Sequence, residues 1–388
     1  MLCVASASSL SFTFLSIGDW GQPEGASKVA PLMATYHPDF VLALGDNFYD
    51  TGVESVEDPQ FQTTFERVFD QPSLQVPWYV CGGNHDYYAS NQVSAQIAYS
   101  RVSPGGRWHY PSLYFAETHV AEDGTKLLVV SLDTWLLNGG DTGHQLLATP
   151  AASAGGDPEQ LSWLERTLVS SDADWKVVIG HFPVFSSSTA HGGTPRLQQQ
   201  LLPVLKSGGA DLYLSGHDHI LQHIERDGIH FFGSGAGAMV DAGSADPDYV
   251  GLRGYADRGY GFMVHEGSRD HLTTTFRTAT DAPGGGSPYS FTIRRSERSR
   301  KGRSALPMRG RRRGERKRRA HGGIETSHAS VQEQQGQLEA PTATAPMAAM
   351  GGMFAPWLVP WFVPWGGEHQ QASPTEPPPS SRRTRSEF

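Results

Sequence analysis

The sequence predicts an α/β layered domain followed by a long tail that does not fold. Short apolar runs rich in β-branched and aromatic residues recur along the first three quarters of the chain, and each ends at a polar cluster that contains glycine. Stretches with the apolar spacing of amphipathic helices lie between these runs. Alternation of strands and helices is typical of α/β layered domains.

Six of the apolar runs are predicted strands. Their near-continuous apolar character suits a sheet that is covered on both faces. In chain order, and with the polar cluster that ends each, they are SFTFLSIGDWG, FVLALGDNFY, WYVCGGNHD, KVVIGHFPV, DLYLSGHDH and IHFFGSGAG. Cys81 lies within the third run, and the only other cysteine is Cys3, so we expect a buried, unpaired thiol at Cys81.

The segments between the strands predict two helices and one loop. DPQFQTTFERVFD and PEQLSWLERTLVSSD place apolar residues at helical spacing and acidic residues in the first turn, which predicts a helix in each. The stretch from Gly139 to Asp157, rich in Gly, Ala and Thr, is predicted to be a long exposed loop.

Charge and composition divide the chain into three predicted regions: an N-terminal extension at residues 1–10, a folded domain at 11–295, and a disordered basic and Pro-rich tail at 296–388. Acidic residues predominate up to about residue 290, and basic residues predominate beyond it. The tail cannot bury enough apolar surface to offset its chain entropy. Prolines interrupt its apolar PWLVPWFVPW repeat, so no transmembrane segment is predicted.

Five of the strand ends carry side chains that bind metal ions. They are Asp19 in GDWG, Asp46 and Tyr49 in GDNFY, Asn84 in GGNHD, His181 in GHFP, and His217 and His219 in GHDH. These oxygen donors and three imidazoles are too many for one tetrahedral zinc and sufficient for two ions. Because a shared carboxylate offsets the repulsion between two cations, Asp46 is the predicted bridge.

The order of these motifs resembles the calcineurin-like metallophosphoesterases. A tyrosine three residues after the second aspartate is similar to the purple acid phosphatases among them, and FYDTGVESVED, VPWYV, QVSAQIAYS and QLSWLE resemble the small, mammalian-type, tartrate-resistant acid phosphatases. The resemblance covers residues 11–295 and implies a four-layer α/β/β/α sandwich with mixed sheets.

The resemblance also implies a role for each matching residue. It implies a site that is ferric in relatives, formed by Asp19, Tyr49, His219 and the bridging Asp46. It implies a second site for Fe(II), Zn(II) or Mn(II), formed by Asp46, Asn84, His181 and His217. A metal-bound hydroxide at this binuclear centre would attack phosphate monoesters, as in an acid phosphatase. His85 and His191 match histidines that ease departure of the leaving group.

Two other functions stay open. A phosphodiesterase or nucleotide pyrophosphatase of the same superfamily would use the same ligands, and substrate range would separate it from a phosphomonoesterase. A non-catalytic protein that binds polyanions through the tail should have lost a ligand or one of the two assisting histidines, and none is missing from this sequence.

Partners and location are expected from the same features. We expect phosphate monoester substrates, a soluble monomer, and contact with polyanions through the basic run Arg309–Arg319. The resemblance implies secretion or a lysosomal location, but the N-terminus lacks the basic region of a signal peptide, so the compartment stays open. The segment Gly139–Asp157 corresponds to a proteolysis-sensitive repression loop in the family, which makes autoinhibition one expectation.

Overall fold

The computed structural model describes residues 10–89, 93–140, 157–281 and 289–295, which belong to one unit within Met1–Arg311. Several predictions therefore concern residues outside these ranges. They are most of the N-terminal extension, residues 141–156 of the predicted loop, and the tail with its basic run and PWLVPWFVPW repeat.

Fourteen strands are found in the described residues, and they form two seven-stranded sheets. In chain order they are β1 (Phe12–Ile17), β2 (Phe40–Ala43), β3 (Trp78–Val80), β4 (Trp108–His109), β5 (Phe115–Val120), β6 (Lys126–Ser131), β7 (Trp175–Ile179), β8 (Leu212–Ser215), β9 (Leu221–Arg226), β10 (Ile229–Ser234), β11 (Leu252–Ala256), β12 (Gly261–Gly267), β13 (His271–Thr278) and β14 (Ser290–Arg294). The first sheet has the order β14-β13-β12-β1-β2-β3-β4, and the second has the order β11-β9-β10-β8-β7-β6-β5.

The six predicted strands are confirmed as β1, β2, β3, β7, β8 and β10. In the first sheet, β1 to β4 run parallel, whereas β12, β13 and β14 add antiparallel neighbours. In the second sheet, β6, β7, β8 and β10 run parallel, β5 pairs antiparallel with β6, and β9 lies antiparallel between β10 and β11. Both sheets are therefore mixed, which confirms the predicted fold class.

Five α-helices are found in the described residues. They are α1 (Pro23–Ala34), α2 (Ser94–Tyr99), α3 (Thr134–Leu137), α4 (Pro158–Ser170) and α5 (Pro195–Gly208). Helix α1 packs against β12 of the first sheet. Lys176 of β7 donates hydrogen bonds to the carbonyl oxygens of Leu168 in α4 and Gly208 in α5, which ties both helices to the second sheet.

One of the two predicted helices is confirmed and the other is only partly helical. PEQLSWLERTLVSSD forms α4, and the Asp157 side chain caps its first turn by accepting the Gln160 N–H at 3.0 Å. DPQFQTTFERVFD instead forms a short π-helical turn, Phe61–Glu66. The buried guanidinium of Arg107 donates to the Glu66 carbonyl oxygen at 3.4 Å, an acceptor that a helix continued to Asp70 would use for the Asp70 N–H.

The core lies between the sheets, and hydrogen bonds cross it at its edges. The Trp175 indole of β7 donates to the carbonyl oxygen of Ser268, which follows β12, at 2.7 Å. Cys81 is buried and free, as predicted. Within the described ranges, every helix is too short or too polar to cross a lipid bilayer.

Candidate metal centre

The predicted ligands come together because parallel strands deliver their carboxyl ends to one edge of each sheet. Asp19 follows β1, Asp46 follows β2, and Asn84 follows β3 in the first sheet. His181 follows β7 in the second sheet, and His217 and His219 follow β8. The two edges meet, so all seven residues predicted from the sequence as ligands lie in one cluster.

The backbone turns sharply at three of these residues. The φ angles of Asp19, Asp46 and His217 are 57°, 51° and 73°, in the left-handed region that non-glycine residues rarely occupy. Gly45, with φ of 86°, directly precedes Asp46, and a Cβ atom there would lie 2.6 Å from the His181 ring. Glycine is therefore required where the strand ends approach one another.

A first group of donor atoms surrounds Tyr49. Its hydroxyl oxygen lies 3.1 Å from Oδ1 of Asp19 and 3.0 Å from Oδ2 of Asp46. Nε2 of His219 lies 3.6 Å from the same Oδ1 of Asp19. A phenol, two carboxylates and one imidazole thus converge in this group.

A second group surrounds Asn84. Its Oδ1 lies 2.9 Å from Nε2 of His181 and 3.1 Å from Nδ1 of His217. Nε2 of His181 is also 3.5 Å from Oδ1 of Asp46, the oxygen of that carboxylate which does not face Tyr49. Donor atoms of Asp19, Asp46 and His181 all lie within 4.8 Å of one another, so the two groups are adjacent.

Hydrogen bonds on the far side of two of the imidazoles fix which ring nitrogen faces the cluster. Nδ1 of His181 lies 2.9 Å from the Leu44 carbonyl oxygen, and Nδ1 of His219 lies 3.1 Å from Oδ1 of Asp241. Those oxygens only accept, so Nδ1 carries the proton and Nε2 presents a lone pair. Lone pairs of His181, His219 and Asn84 therefore point at one another or at carboxylates, an arrangement that a cation would stabilise.

The burial of the carboxylates also favours bound cations. Asp19 and Asp46 have exposures of 0% and 2%. Burial raises the pKa of Asp19 well above its usual value, and the neighbouring Asp46 raises it further. Burial, reinforced by His181, lowers the pKa of His217 to about 3, so this imidazole is neutral. Two carboxylates enclosed beside this neutral imidazole would gain a counter-charge from bound metal ions.

The two predicted catalytic histidines lie at the rim of this cluster. The His85 backbone N–H donates to Asp46 at 2.9 Å, and its ring Nδ1 lies 2.7 Å from the Asp50 carbonyl oxygen. His191 has a ring centroid 4.5 Å from that of His217, and its side chain is 44% exposed. Its Nδ1 lies 3.4 Å from Oδ1 of the buried Asp218, and a hydrogen bond to this carboxylate raises the pKa of His191.

Three further aspartates support the cluster, and sequence reasoning did not single them out. Asp86 accepts from the backbone N–H groups of Asn47, Phe48 and Gly83 and so joins the loops that carry Asp46 and Asn84. Asp218 anchors the His191 loop, and Asp241 holds His219. Asp86 ends the GGNHD motif and Asp218 lies inside GHDH, so their adjacency to ligands was the available signal.

Known proteins share both the sequence and the fold. The calcineurin-like phosphoesterase family profile matches residues 12–221. Tartrate-resistant acid phosphatase type 5 of Rattus norvegicus is 37% identical over 286 residues, which is 70% of this chain and 83% of the relative. The Sus scrofa protein of the same name is 40% identical over 244 residues, or 59% of this chain and 70% of that one. Purple acid phosphatase 4 of Arabidopsis thaliana is 34% identical over 280 residues, which is 69% of this chain and 80% of that protein.

Two solved structures extend the likeness in fold. GAP50, described as the anchor in the inner membrane complex of Plasmodium, superimposes with a TM-score of 0.62 at 21% identity over 77% of this chain and 96% of its own. The purple acid phosphatase PPD1 of yellow lupin superimposes with a TM-score of 0.52 at 15% identity, over 73% of this chain and 53% of its own. These two structures show a shared fold, and the profile and sequence matches establish that the chain belongs to the calcineurin-like phosphoesterase family, within the group of purple and tartrate-resistant acid phosphatases.

Proposed function

We propose that the chain is an acid phosphatase that hydrolyses phosphate monoesters at a binuclear metal centre. The observation that carries the proposal is the position of Asp46 between the two donor groups. Its Oδ2 lies 3.0 Å from the Tyr49 hydroxyl, and its Oδ1 lies 3.5 Å from Nε2 of His181. A carboxylate whose two oxygens face different sets of donors is suited to bridge two cations.

The two donor groups differ in chemistry, and this supports different metals. Asp19, Tyr49 and His219 would join Asp46 around one ion, and a phenolate with two carboxylates suits Fe(III). Asn84, His181 and His217 would join Asp46 around the other, and amide and imidazole donors suit Fe(II), Zn(II) or Mn(II). The names of the relatives, purple and tartrate-resistant acid phosphatases, support acid phosphatase activity.

The protein's own contribution is to hold donors and to place a proton source. When bound, the two cations would bind phosphate oxygens and lower the pKa of a water molecule so that it becomes the nucleophile. The backbone N–H of His85 fixes Oδ1 of Asp46, and Asp19 is fixed in turn by the His217 N–H at 2.8 Å. His191 has its Nδ1 at Asp218, so Nε2 is the atom available to donate to the departing oxygen.

Substrate range tests this proposal. The full-length protein is assayed at mildly acidic pH with p-nitrophenyl phosphate and with bis(p-nitrophenyl) phosphate. We expect a higher kcat/KM for the monoester, and we expect Asp46→Asn to abolish turnover while the exposed Asp70→Asn keeps it. A higher kcat/KM for the diester would instead favour a phosphodiesterase. Hydrolysis of neither ester by metal-loaded protein would favour a non-catalytic function.

A further inference from the structure

The start of α3 is hydrogen-bonded to two loops that carry metal donors of the second group. Asp133 and Thr134 follow β6 in the chain, and their exposures are 1% and 0%. The side chain of Thr134 contacts the loop of His181, which follows β7 in the second sheet. The side chain of Asp133 contacts Tyr87, in the turn that follows Asn84 of the first sheet. One short segment therefore joins loops from both sheets.

The hydroxyl of Thr134 fixes the main chain of His181. Its Oγ1 accepts hydrogen bonds from the backbone N–H groups of His181 and Phe182, each at 3.0 Å. The pairing of β6 with β7 ends at Ser131 and Ile179, so these two buried N–H groups lie beyond the strands and need another acceptor. Because a hydroxyl oxygen has two lone pairs, Thr134 satisfies both groups.

The close approach of Thr134 requires a glycine in the neighbouring loop. A Cβ atom at Gly180 would lie 2.4 Å from Cγ2 of Thr134, so the threonine methyl group occupies the space that any other residue would fill. Branching at Cβ restricts the Thr134 side chain to few rotamers. Its hydroxyl is therefore held toward the His181 main chain.

The remaining hydrogen bonds of His181 carry this position to the second donor group. Its carbonyl oxygen accepts the Gly216 N–H at 3.0 Å, and its ring Nδ1 donates to the Leu44 carbonyl oxygen at 2.9 Å. Its Nε2 then lies 2.9 Å from Oδ1 of Asn84. A shift of the His181 main chain away from Thr134 would therefore move one metal donor relative to another.

Asp133 holds the loop of Asn84 in the same way. Its carboxylate accepts a hydrogen bond from the Tyr87 hydroxyl, and the Tyr87 ring stacks on Trp135 at a centroid distance of 5.0 Å. The Tyr87 backbone N–H donates to the Asn84 carbonyl oxygen at 3.2 Å. The main chain of Asp133 is anchored by the Gln160 side chain of α4, which accepts from its N–H at 2.9 Å and donates to its carbonyl oxygen at 3.2 Å.

We infer that Asp133 and Thr134 form a clasp that positions the second donor group and so sets its affinity for a divalent cation. Both are positioning residues, because Thr134 acts through His181 and Asp133 acts through the turn of Asn84. This inference rests on the proposed binuclear centre, because it concerns the donors of one of its two sites. The first donor group has other supports, among them the hydrogen bond that holds His219, so its affinity should not depend on the clasp.

Zinc binding to variants of Thr134 tests the clasp. The full-length protein is dialysed against a chelator, and the Kd of each of two Zn(II) ions is measured by calorimetry. Thr134→Val keeps the shape of the side chain and removes the acceptor. The Kd of one ion should rise about 10- to 100-fold, and that of the other should stay near the wild-type value. Thr134→Ser restores the hydroxyl and should return both values to those of the wild type.

The matched control is Thr274→Val. Thr274 is a buried threonine of β13, and its Oγ1 lies 2.9 Å from Nδ1 of His265. This variant should lower the free energy of unfolding and keep both zinc affinities. A general loss of stability is thereby separated from the selective loss of one metal ion.

If Thr134→Val does not fold, Tyr87→Phe takes its place. This variant removes the hydroxyl that Asp133 holds and should raise the Kd of one Zn(II) ion in the same selective way. An unchanged Kd in Tyr87→Phe would then overturn the inference.

The outcomes distinguish this inference from the proposed function. The inference is wrong if the wild type binds two ions and Thr134→Val binds both with unchanged Kd, if Thr134→Ser is as defective as Thr134→Val, or if Thr274→Val weakens zinc binding equally. Hydrolysis of p-nitrophenyl phosphate by the wild type would still support the proposed function. If one ion is lost selectively but the wild type hydrolyses no monoester, the proposed function is wrong and the clasp stands. Both are wrong if the wild type binds fewer than two ions.

Discussion

The hydroxyl oxygen of Tyr49 lies 3.0 Å from Oδ2 of Asp46, three residues earlier in the chain, and 3.1 Å from Oδ1 of Asp19 at the end of a neighbouring strand. A phenol has one proton and can donate fully to only one of these carboxylates. The same three oxygens would all be satisfied by a cation bound to a phenolate. This contact is therefore the point at which the structure is most informative about metal binding.

Substitution of Asn84 should damage one metal site selectively. Its Oδ1 is the atom nearest to both His181 and His217, so Asn84→Ala removes a donor from the second group alone. We expect one metal ion per chain in place of two. Turnover of p-nitrophenyl phosphate should fall by about 10- to 100-fold. Elemental analysis and steady-state kinetics measure both quantities.

The control is Asn138→Ala. Asn138 lines the same pocket as Asn84 but lies in neither donor group, so this variant should keep both metal ions. Unchanged turnover and metal content in Asn84→Ala would remove Asn84 from the ligands.

Substitution of His191 should affect chemistry without affecting metal content. We expect His191→Asn to lower kcat, by roughly 100-fold for alkyl phosphates and by less for p-nitrophenyl phosphate, whose leaving group needs little protonation. The measurement is the dependence of kcat on the pKa of the leaving group. The exposed His37→Asn is the control, and an equal loss for all leaving groups would assign His191 a structural role.

Asp86→Asn should destabilise the fold. Both oxygens of the buried Asp86 accept hydrogen bonds, from the N–H groups of Asn47, Phe48 and Gly83 and from the Gln96 side chain. An amide NH₂ would face one of these donors and leave it unpaired, at a cost of about 1–3 kcal/mol. Urea unfolding measures this loss, and Asp70→Asn should change the free energy of unfolding by less than about 0.5 kcal/mol. Equal stability of the two variants would contradict the role of Asp86.

Asp133 should make stability depend on pH. Burial raises its pKa from 3.8 to about 6, although the Tyr87 hydroxyl donates to it. Between pH 4 and 6 the folded chain keeps a proton that the unfolded chain releases, so this contribution is complete below pH 4 and declines as pH rises to 6. The free energy of unfolding of the wild type, relative to Asp133→Asn, should fall by roughly 2 kcal/mol over this range. Parallel curves for the two proteins would show that Asp133 does not titrate in this way.

The strands and the ligand positions were predictable because their signals are local. An apolar run that stops at glycine and a polar residue identifies a strand end, as at Gly45 and Asp46, without any knowledge of the partner strand. The family resemblance then assigned each ligand to one of the two metal sites. The metal donors were therefore expected from short motifs, each of which lies in a single segment.

Features that depend on contacts between distant segments were not predictable. Strand β1 pairs with β12, about 250 residues later, and no local pattern specifies that neighbour. The π-helical turn Phe61–Glu66 ends where Arg107 donates to the Glu66 carbonyl oxygen, and the support that Asp86 gives to the loop of Asp46 crosses 39 residues of sequence.

The most direct test of the binuclear assignment is the visible absorption spectrum of the purified protein, recorded with its metal content. We predict two metal ions per chain, one of them iron, and a tyrosinate-to-Fe(III) charge-transfer band that disappears in Tyr49→Phe while Tyr114→Phe keeps it. A colourless protein with two zinc ions, or a band that persists in Tyr49→Phe, would contradict the assignment of Tyr49 and Asp46 to a ferric site.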